Sequence, residues 1–217
     1  MPVKVGLKYI EKWNTPLEKS VCAYEQEPII KDQIVFYGPS YFTRWGTKYG
    51  MIPLRDAIKG KSGEACCVNR GFGSSCAEHH LYYYHRMIRP LEPRVLVYHS
   101  SGNALTFGYT QEEVWELAQR VIMYTLTDFP DVRIYLCSTN PKRGMTEEEI
   151  NERRIYNGWL KEFAENNERC TYVDLLEDKR LHDPEIFVAD GVHYNQKGYD
   201  LYTEIFTEVL KDELEKY

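Results

Sequence analysis

The chain predicts an α/β fold: one three-layer αβα domain built on a five-stranded parallel sheet. Three observations predict it. Five short runs rich in β-branched, aromatic and cysteine residues recur along 217 residues. Segments of helical periodicity separate those runs. No repeat, low-complexity tract or linker divides the chain, whose length suits a single domain with a sizeable core. Strands that alternate with helices are joined by right-handed crossovers, which make the strands parallel and put helices on both faces.

Residues 1–30 show no assignable pattern and are read as an N-terminal extension of the same domain, with 31–217 as its body. The strand expectations are Ile34–Tyr37, Ala65–Asn69, Arg94–Tyr98, Val132–Ser138 and Cys170–Leu175, each followed by small or polar residues. Thr110-Gln-Glu-Glu113 and Thr146-Glu-Glu-Glu149 have the form of capping boxes, in which a hydroxyl and a carboxylate reciprocally satisfy the first free N–H groups of a helix. Behind the first cap, Val114, Leu117, Ala118, Val121, Ile122 and Leu126 form one apolar stripe. Ile150, Tyr156, Trp159, Leu160 and Phe163 do the same behind the second. A last helix after Asn195 carries Leu201, Tyr202, Ile205, Val209 and Leu210.

Composition narrows the function classes. Lys and Arg number 27 against 33 Asp and Glu, and the net charge of -6 with no basic stripe argues against a nucleic-acid partner. No apolar run approaches the ~18 residues of a membrane span. Met1-Pro-Val-Lys-Val-Gly-Leu-Lys8 lacks the apolar core of a signal peptide. Lys211-Asp-Glu-Leu214 is followed by three residues and so does not read as a retention tail. The six cysteines (22, 66, 67, 76, 137, 170) form no CxxC pair and no disulfide framework, so reduced thiols and a cytoplasmic location are expected.

The most informative run is Asp190-Gly-Val-His193-Tyr-Asn-Gln-Lys-Gly198-Tyr. A carboxylate three residues before an imidazole can orient it toward a third group, which makes His193 a candidate general base. The hydroxyl for it to serve lies about 150 residues earlier, after a hydrophobic strand, in Ile34-Val-Phe-Tyr-Gly38-Pro-Ser40. Ser, Asp and His in this order fit a hydrolytic triad, which geometry rather than chain order defines. Taken singly, each piece has an ordinary structural reading. Ser40 fits a helix N-cap, Asp190-x-x-His193 an Asx-type turn, and Gly71 and Gly73 plain turns.

Together the pieces resemble the SGNH (GDSL-type) esterase family over about Ile34 to Tyr202. Gly38-Pro39-Ser40 resembles its Gly-Asp-Ser block, and Asn69-Arg-Gly71-Phe-Gly73-Ser its second block. Ser101-Gly-Asn103-Ala resembles Gly-x-Asn-Asp, and Asp190-Gly-Val-His193 matches Asp-x-x-His. The resemblance implies a flavodoxin-like sheet and a cofactor-free serine esterase with Ser40 as nucleophile, His193 as base and Asp190 as its orienting acid. It implies an oxyanion hole from the Ser40 N–H, the N–H of Gly73 (or of Gly71) and the Asn103 amide. The sequence departs from the pattern at Pro39, Ser101 and Ala104, so rigidity of the nucleophile loop is expected from the Pro39 ring.

The expected substrate is a small-molecule acyl ester with a short acyl chain, on an acetylated carbohydrate. Tyr41, Phe42, Trp45 and Tyr194 are the rings expected to stack on a sugar. A lysophospholipase or thioesterase, and a non-catalytic binding module on the same fold, are the alternatives. Cys66, Cys67, Cys76, His79, His80 and His85 crowd one region, but their spacing fits no common zinc pattern. Gly71-x-Gly73 is followed by Cys at 76 and fails as a dinucleotide fingerprint. Tyr82-Tyr83-Tyr84 reads as helix packing.

Overall fold

The structure is a computed structural model that describes Lys8, residues 10–100 and residues 102–217, with only the backbone of 10–14. The readings made on the first seven residues and on Ser101 lie outside the described residues.

The strands are β1 (Ile34–Gly38), β2 (Cys67–Gly71), β3 (Val95–Tyr98), β4 (Arg133–Cys137) and β5 (Cys170–Val173). All pair in parallel, in the order β2-β1-β3-β4-β5. The helices are α1 (Ile10–Glu25), α2 (Ser40–Thr43), α3 (Leu54–Ala57), α4 (Ala77–Met87), α5 (Asn103–Thr106), α6 (Gln111–Asp128), α7 (Glu147–Glu165), α8 (Gln196–Val209) and α9 (Lys211–Leu214).

Alternation along the central strands divides the core in two. Val35, Tyr37, Leu96, Tyr98, Ile134 and Leu136 face α1, α4, α6 and α7. Ile34, Phe36, Val95, Val97, Tyr135 and Cys137 face α2, α3, α8 and α9. A strand buried on both faces reads as a continuous apolar run, which is why β1 and β3 were legible.

Both capping boxes form, with Thr110 and Thr146 accepting from the N–H groups of Glu113 and Glu149. Among the described residues, the unassigned N-terminal stretch contains the helix α1. Its Leu17 and Val21 are in the core, and the Tyr24 hydroxyl donates to the Gly71 carbonyl at 2.6 Å. The second strand begins and ends two residues later than expected, because Arg70 and Gly71 continue the register against Tyr37 and Gly38. The fifth stops at Val173, where the N–H groups of Leu175 and Leu176 turn aside to the Ser138 hydroxyl, at 2.8 and 3.0 Å.

The register places the site. Gly38 lies opposite Gly71, so Ser40 and Gly73 are each two residues past the same rung, and Asn103 begins α5 just beyond β3. The chain reverses direction across the sheet between β1 and β3, where such folds open a crevice at the carboxyl ends of the strands.

Gly71 is required by the close approach of α2 to β2. A Cβ there would meet the backbone nitrogen of Thr43 and, at 2.7 Å, Phe42. Gly71→Ala should therefore cost about 1–3 kcal/mol, a fall in Tm of roughly 2–12 °C by thermal melt. Gly73→Ala, with nothing within 4 Å of the added carbon, should melt within about 2 °C of the parent. Equal melting of the two variants would remove the close approach as the reason for Gly71.

Candidate active site

Ser40 is the first residue of α2, after Pro39 in extended geometry (φ -80, ψ -150). The Pro39 carbonyl accepts from the N–H groups of Phe42 and Thr43, at 3.1 and 3.3 Å, and from the Thr43 hydroxyl at 3.3 Å. The turn is thus braced through the carbonyl of Pro39 as well as through its ring, and a carboxylate at this position is not needed to hold it. The Ser40 hydroxyl caps no helix. It meets His193 Nε2 at 2.8 Å, a contact across 153 residues of sequence.

His193 is held from its other side by Asp190, Nδ1 to Oδ2, at 2.8 Å. The second carboxylate oxygen, Oδ1, accepts the backbone N–H groups of Val192 and His193, both at 2.9 Å. Gly191, between Asp190 and Val192, takes φ +69, the left-handed conformation that glycine adopts without strain. The Asx turn and the orienting carboxylate are therefore one residue's two oxygens. Asn195 then caps α8 by accepting from the Gly198 N–H.

The two groups are tuned in the same direction by different causes. Burial works to raise the Asp190 pKa. The His193 N–H and imidazole and the Val192 N–H outweigh it and bring the value down to about 2. Arg44 also lies 3.5 Å from that carboxylate. For His193 burial is the largest influence and lowers its pKa; the bond to Asp190 opposes this and the Arg44 charge adds to it. A neutral imidazole with Nδ1–H toward Asp190 leaves Nε2 to accept the Ser40 proton.

Asn103 lines the cleft with Ser40 and His193. One amide hydrogen goes to the Ser75 carbonyl at 2.9 Å, which ties the loop after β2 to the loop after β3. No acceptor for the other amide hydrogen is found among the described residues. Of the two glycines, Gly71 is committed: its N–H donates to the Asn69 side chain at 2.8 Å. No acceptor for the Gly73 N–H is found among the described residues. Ala104 is buried in the first turn of α5.

Sequence reasoning missed the loop after β4. Asn140, Lys142 and, on α7, Arg153 complete the cleft, together with His99. The rule that ligands gather at strand carboxyl ends, applied to β4, points to this loop. Buried His99 reaches Asn140 Oδ1 through Nε2 at 2.7 Å, and the Asn140 amide donates to the hydroxyls of Tyr194 (3.1 Å) and Tyr202. Burial pulls the His99 pKa to about 4, against the opposing Asn140 bond, so this imidazole is neutral and serves as a wall.

Of the four expected sugar-stacking rings, Tyr41 alone lines the cleft, and the other three are a correction. Phe42, Trp45 and Tyr194 are buried in the α2–α8 core, and Tyr41 is nearly so, its hydroxyl donating to the Val192 carbonyl at 3.0 Å. Phe42 and Trp45 pack edge-on to Phe36 at 5.2 and 5.9 Å, leaving no face for a ligand.

In the Cys/His region, Cys76, Glu78 and His79 come within reach of one another. Cys76 and His79 are engaged as a capping box of α4, the Cys76 N–H donating to His79 Nδ1 at 3.2 Å. Tyr83 and Tyr84 are buried in helix packing and Tyr82 is exposed.

The arrangement can activate a hydroxyl, hold the proton and return it, with the Asn103 side chain in the same cleft. Comparison with known proteins finds the same fold. Solved structures of the same fold include a GDSL-like lipase from Bacteroides thetaiotaomicron (TM-score 0.68, 16% identity, covering 94% of this chain and 97% of that one). An acetyl xylan esterase has TM-score 0.69 and 18% identity, over 82% of this chain and 99% of its own. A carbohydrate esterase family 3 protein from Talaromyces cellulolyticus has TM-score 0.64 and 11% identity, over 86% and 99%. No curated protein matches the sequence. The model of the GDSL-like lipase/acylhydrolase family matches residues 39–201, and the chain belongs to that family, whose members hydrolyse esters.

Proposed function

We propose that the protein is a serine esterase that removes a short acyl group, with Ser40 as nucleophile, His193 as base and Asp190 as its orienting acid. The observation that carries this is the continuous chain Asp190–His193–Ser40, two contacts of 2.8 Å opening into one cleft. His193 Nε2 takes the Ser40 proton as Oγ attacks the ester carbonyl. The oxyanion so formed is met by the Ser40 and Gly73 N–H groups and the free amide hydrogen of Asn103, each donor worth about 3–4 kcal/mol in comparable sites. Collapse breaks the bond to the alcohol, which leaves with the proton from His193. A water deprotonated by His193 then attacks the acyl-Ser40 carbonyl, and collapse releases the acid as His193 returns the proton to Ser40 Oγ.

The cleft, about 80 Å³, supports a short acyl group over a fatty chain. The acetyl xylan esterase and carbohydrate esterase likenesses support a carbohydrate alcohol. No described helix is long and apolar enough to cross a membrane. The six free thiols support a reducing, cytoplasmic setting.

Two outcomes are expected. A fluorophosphonate should label Ser40, detected by peptide mass, and Ser40→Ala should abolish the labelling. An unlabelled parent marks a binding module, and an acyl-chain-length series that rises toward long chains favours a lysophospholipase. In a pH series, kcat/KM should fall on the acid side with a midpoint below the ordinary ~6.5 of histidine, because neutral His193 is required and its pKa is lowered. A midpoint above that value contradicts the burial of the base.

A further inference from the structure

Two cations border the cleft without an ion-pair partner among the described residues. Lys142 follows β4 and Arg153 lies in the second turn of α7, both facing the space that holds Ser40 and His193. Among the described residues neither forms an ion pair or a side-chain hydrogen bond. The neighbouring arginines are committed. Arg44 faces Asp190. The Arg143 guanidinium donates to the carbonyls of Pro184, Phe187 and Val188 at 3.2, 2.8 and 3.3 Å. Arg154 bridges Glu147 and Glu177.

The acidic groups that bear on Arg153 are Glu149 and Glu152 on its own helix. Glu149 is spent on the helix cap, accepting from the Thr146 N–H at 2.8 Å, and Glu152 is exposed. Burial lowers the pKa of both cations; at Lys142 the Arg153 charge adds to the lowering and the Glu149 charge opposes it. In a chain of net charge -6, two half-buried like charges turned to one cleft are an electrostatic cost that a bound anion removes.

The pair is held in place. Tyr156 bonds the Ser100 hydroxyl, and Asn157 bonds both the N–H and the hydroxyl of Thr139, at 3.0 and 3.1 Å. These contacts fasten α7 to the ends of β3 and β4, and Arg153, three and four residues earlier, shares their face. The Lys142 N–H is fixed to Met145 Sδ at 3.1 Å, and the next N–H, of Arg143, donates to the Gly191 carbonyl at 2.8 Å. That last bond joins the Lys142 loop to the Asp190–His193 turn. His193 hands its proton to the departing oxygen, so the Lys142 side of the cleft is the side of the leaving alcohol.

We propose that Lys142 and Arg153 form a subsite for an oxyanion, a carboxylate or phosphate, carried on the alcohol half of the ester. The proposal rests on the esterase reading and narrows it to acidic substrates. Guanidinium and ammonium together offer a planar fork and a point charge, which suit either anion.

Calorimetric binding of product-like alcohols to the whole chain tests it without turnover. 4-Hydroxybenzoate or 4-hydroxyphenyl phosphate should bind roughly 10- to 100-fold tighter than 4-hydroxybenzamide, the span of one charge-assisted hydrogen bond. The tighter of the two identifies the anion. Arg153→Gln and, separately, Lys142→Gln should shrink that ratio, and Arg153→Lys should restore part of it. Equal binding of anions and amide, or a ratio that neither Gln variant changes, overturns the subsite whether or not Ser40 reacts.

Hydrolysis locates the charge. The parent should prefer 4-acetoxybenzoate to 4-acetoxybenzamide by a lower KM, since both charges act before bond breaking. A preference found only with the charge on the acyl half, 4-nitrophenyl hemiglutarate over 4-nitrophenyl butyrate, overturns the alcohol-side placement. Fluorophosphonate labelling of the parent keeps the two readings apart. An unlabelled Ser40 tells against the esterase, whereas a labelled Ser40 with no anion preference tells against this subsite alone.

Discussion

The carboxylate of Asp190 does two jobs at once, and the site depends on their being done by one group. Oδ1 gathers two backbone N–H groups and so shapes the turn; Oδ2 holds the imidazole that the same turn carries. Backbone and side chain are thereby fixed relative to each other within four residues. Only the distance to Ser40 is left for the fold to set. The parallel register sets it, because β1, an interior strand between β2 and β3, presents Ser40 at the edge where β3, β4 and β5 also end. Gly71 and the Pro39 carbonyl complete the arrangement by letting α2 close down on β2 and by bracing its first turn.

Burial acts on the site as a selector of protonation states. It lowers the pKa of His193 and, more strongly, of His99, so both rings are neutral near neutral pH, yet only one is aimed at a hydroxyl. His99 spends Nε2 on Asn140, which is itself clamped by two tyrosine hydroxyls. The same low-dielectric surroundings raise the cost of leaving Lys142 and Arg153 without an anion.

Legibility in the sequence followed locality. The Asp190-x-x-His193 turn, the two threonine caps and the doubly buried strands are written in contiguous residues, and the structure contains each of them. The helix α1 was not legible because its apolar residues, such as Leu17 and Val21, are few and are fixed by packing on α4 and β2. Asn140, Lys142 and Arg153 carry no motif; their meaning comes from the Tyr156, Asn157 and Arg143 contacts, which join distant segments. Phe42 and Trp45 were misread for the same reason. A ring near a nucleophile in sequence is as readily core as ligand platform, and here Phe42 and Trp45 pack against Phe36 and Phe206.

The central claim is covalent chemistry at Ser40, and intact mass during turnover tests it most directly. Protein mixed with an excess of a neutral acetyl ester and quenched in acid within the first turnovers should carry one added acetyl group, mapped by peptide fragmentation to Ser40. Deacylation should clear it once the ester is consumed. An ester hydrolysed with no acyl adduct on Ser40 at any quench time, or with the acyl group on a cysteine or on Lys142, would contradict the account.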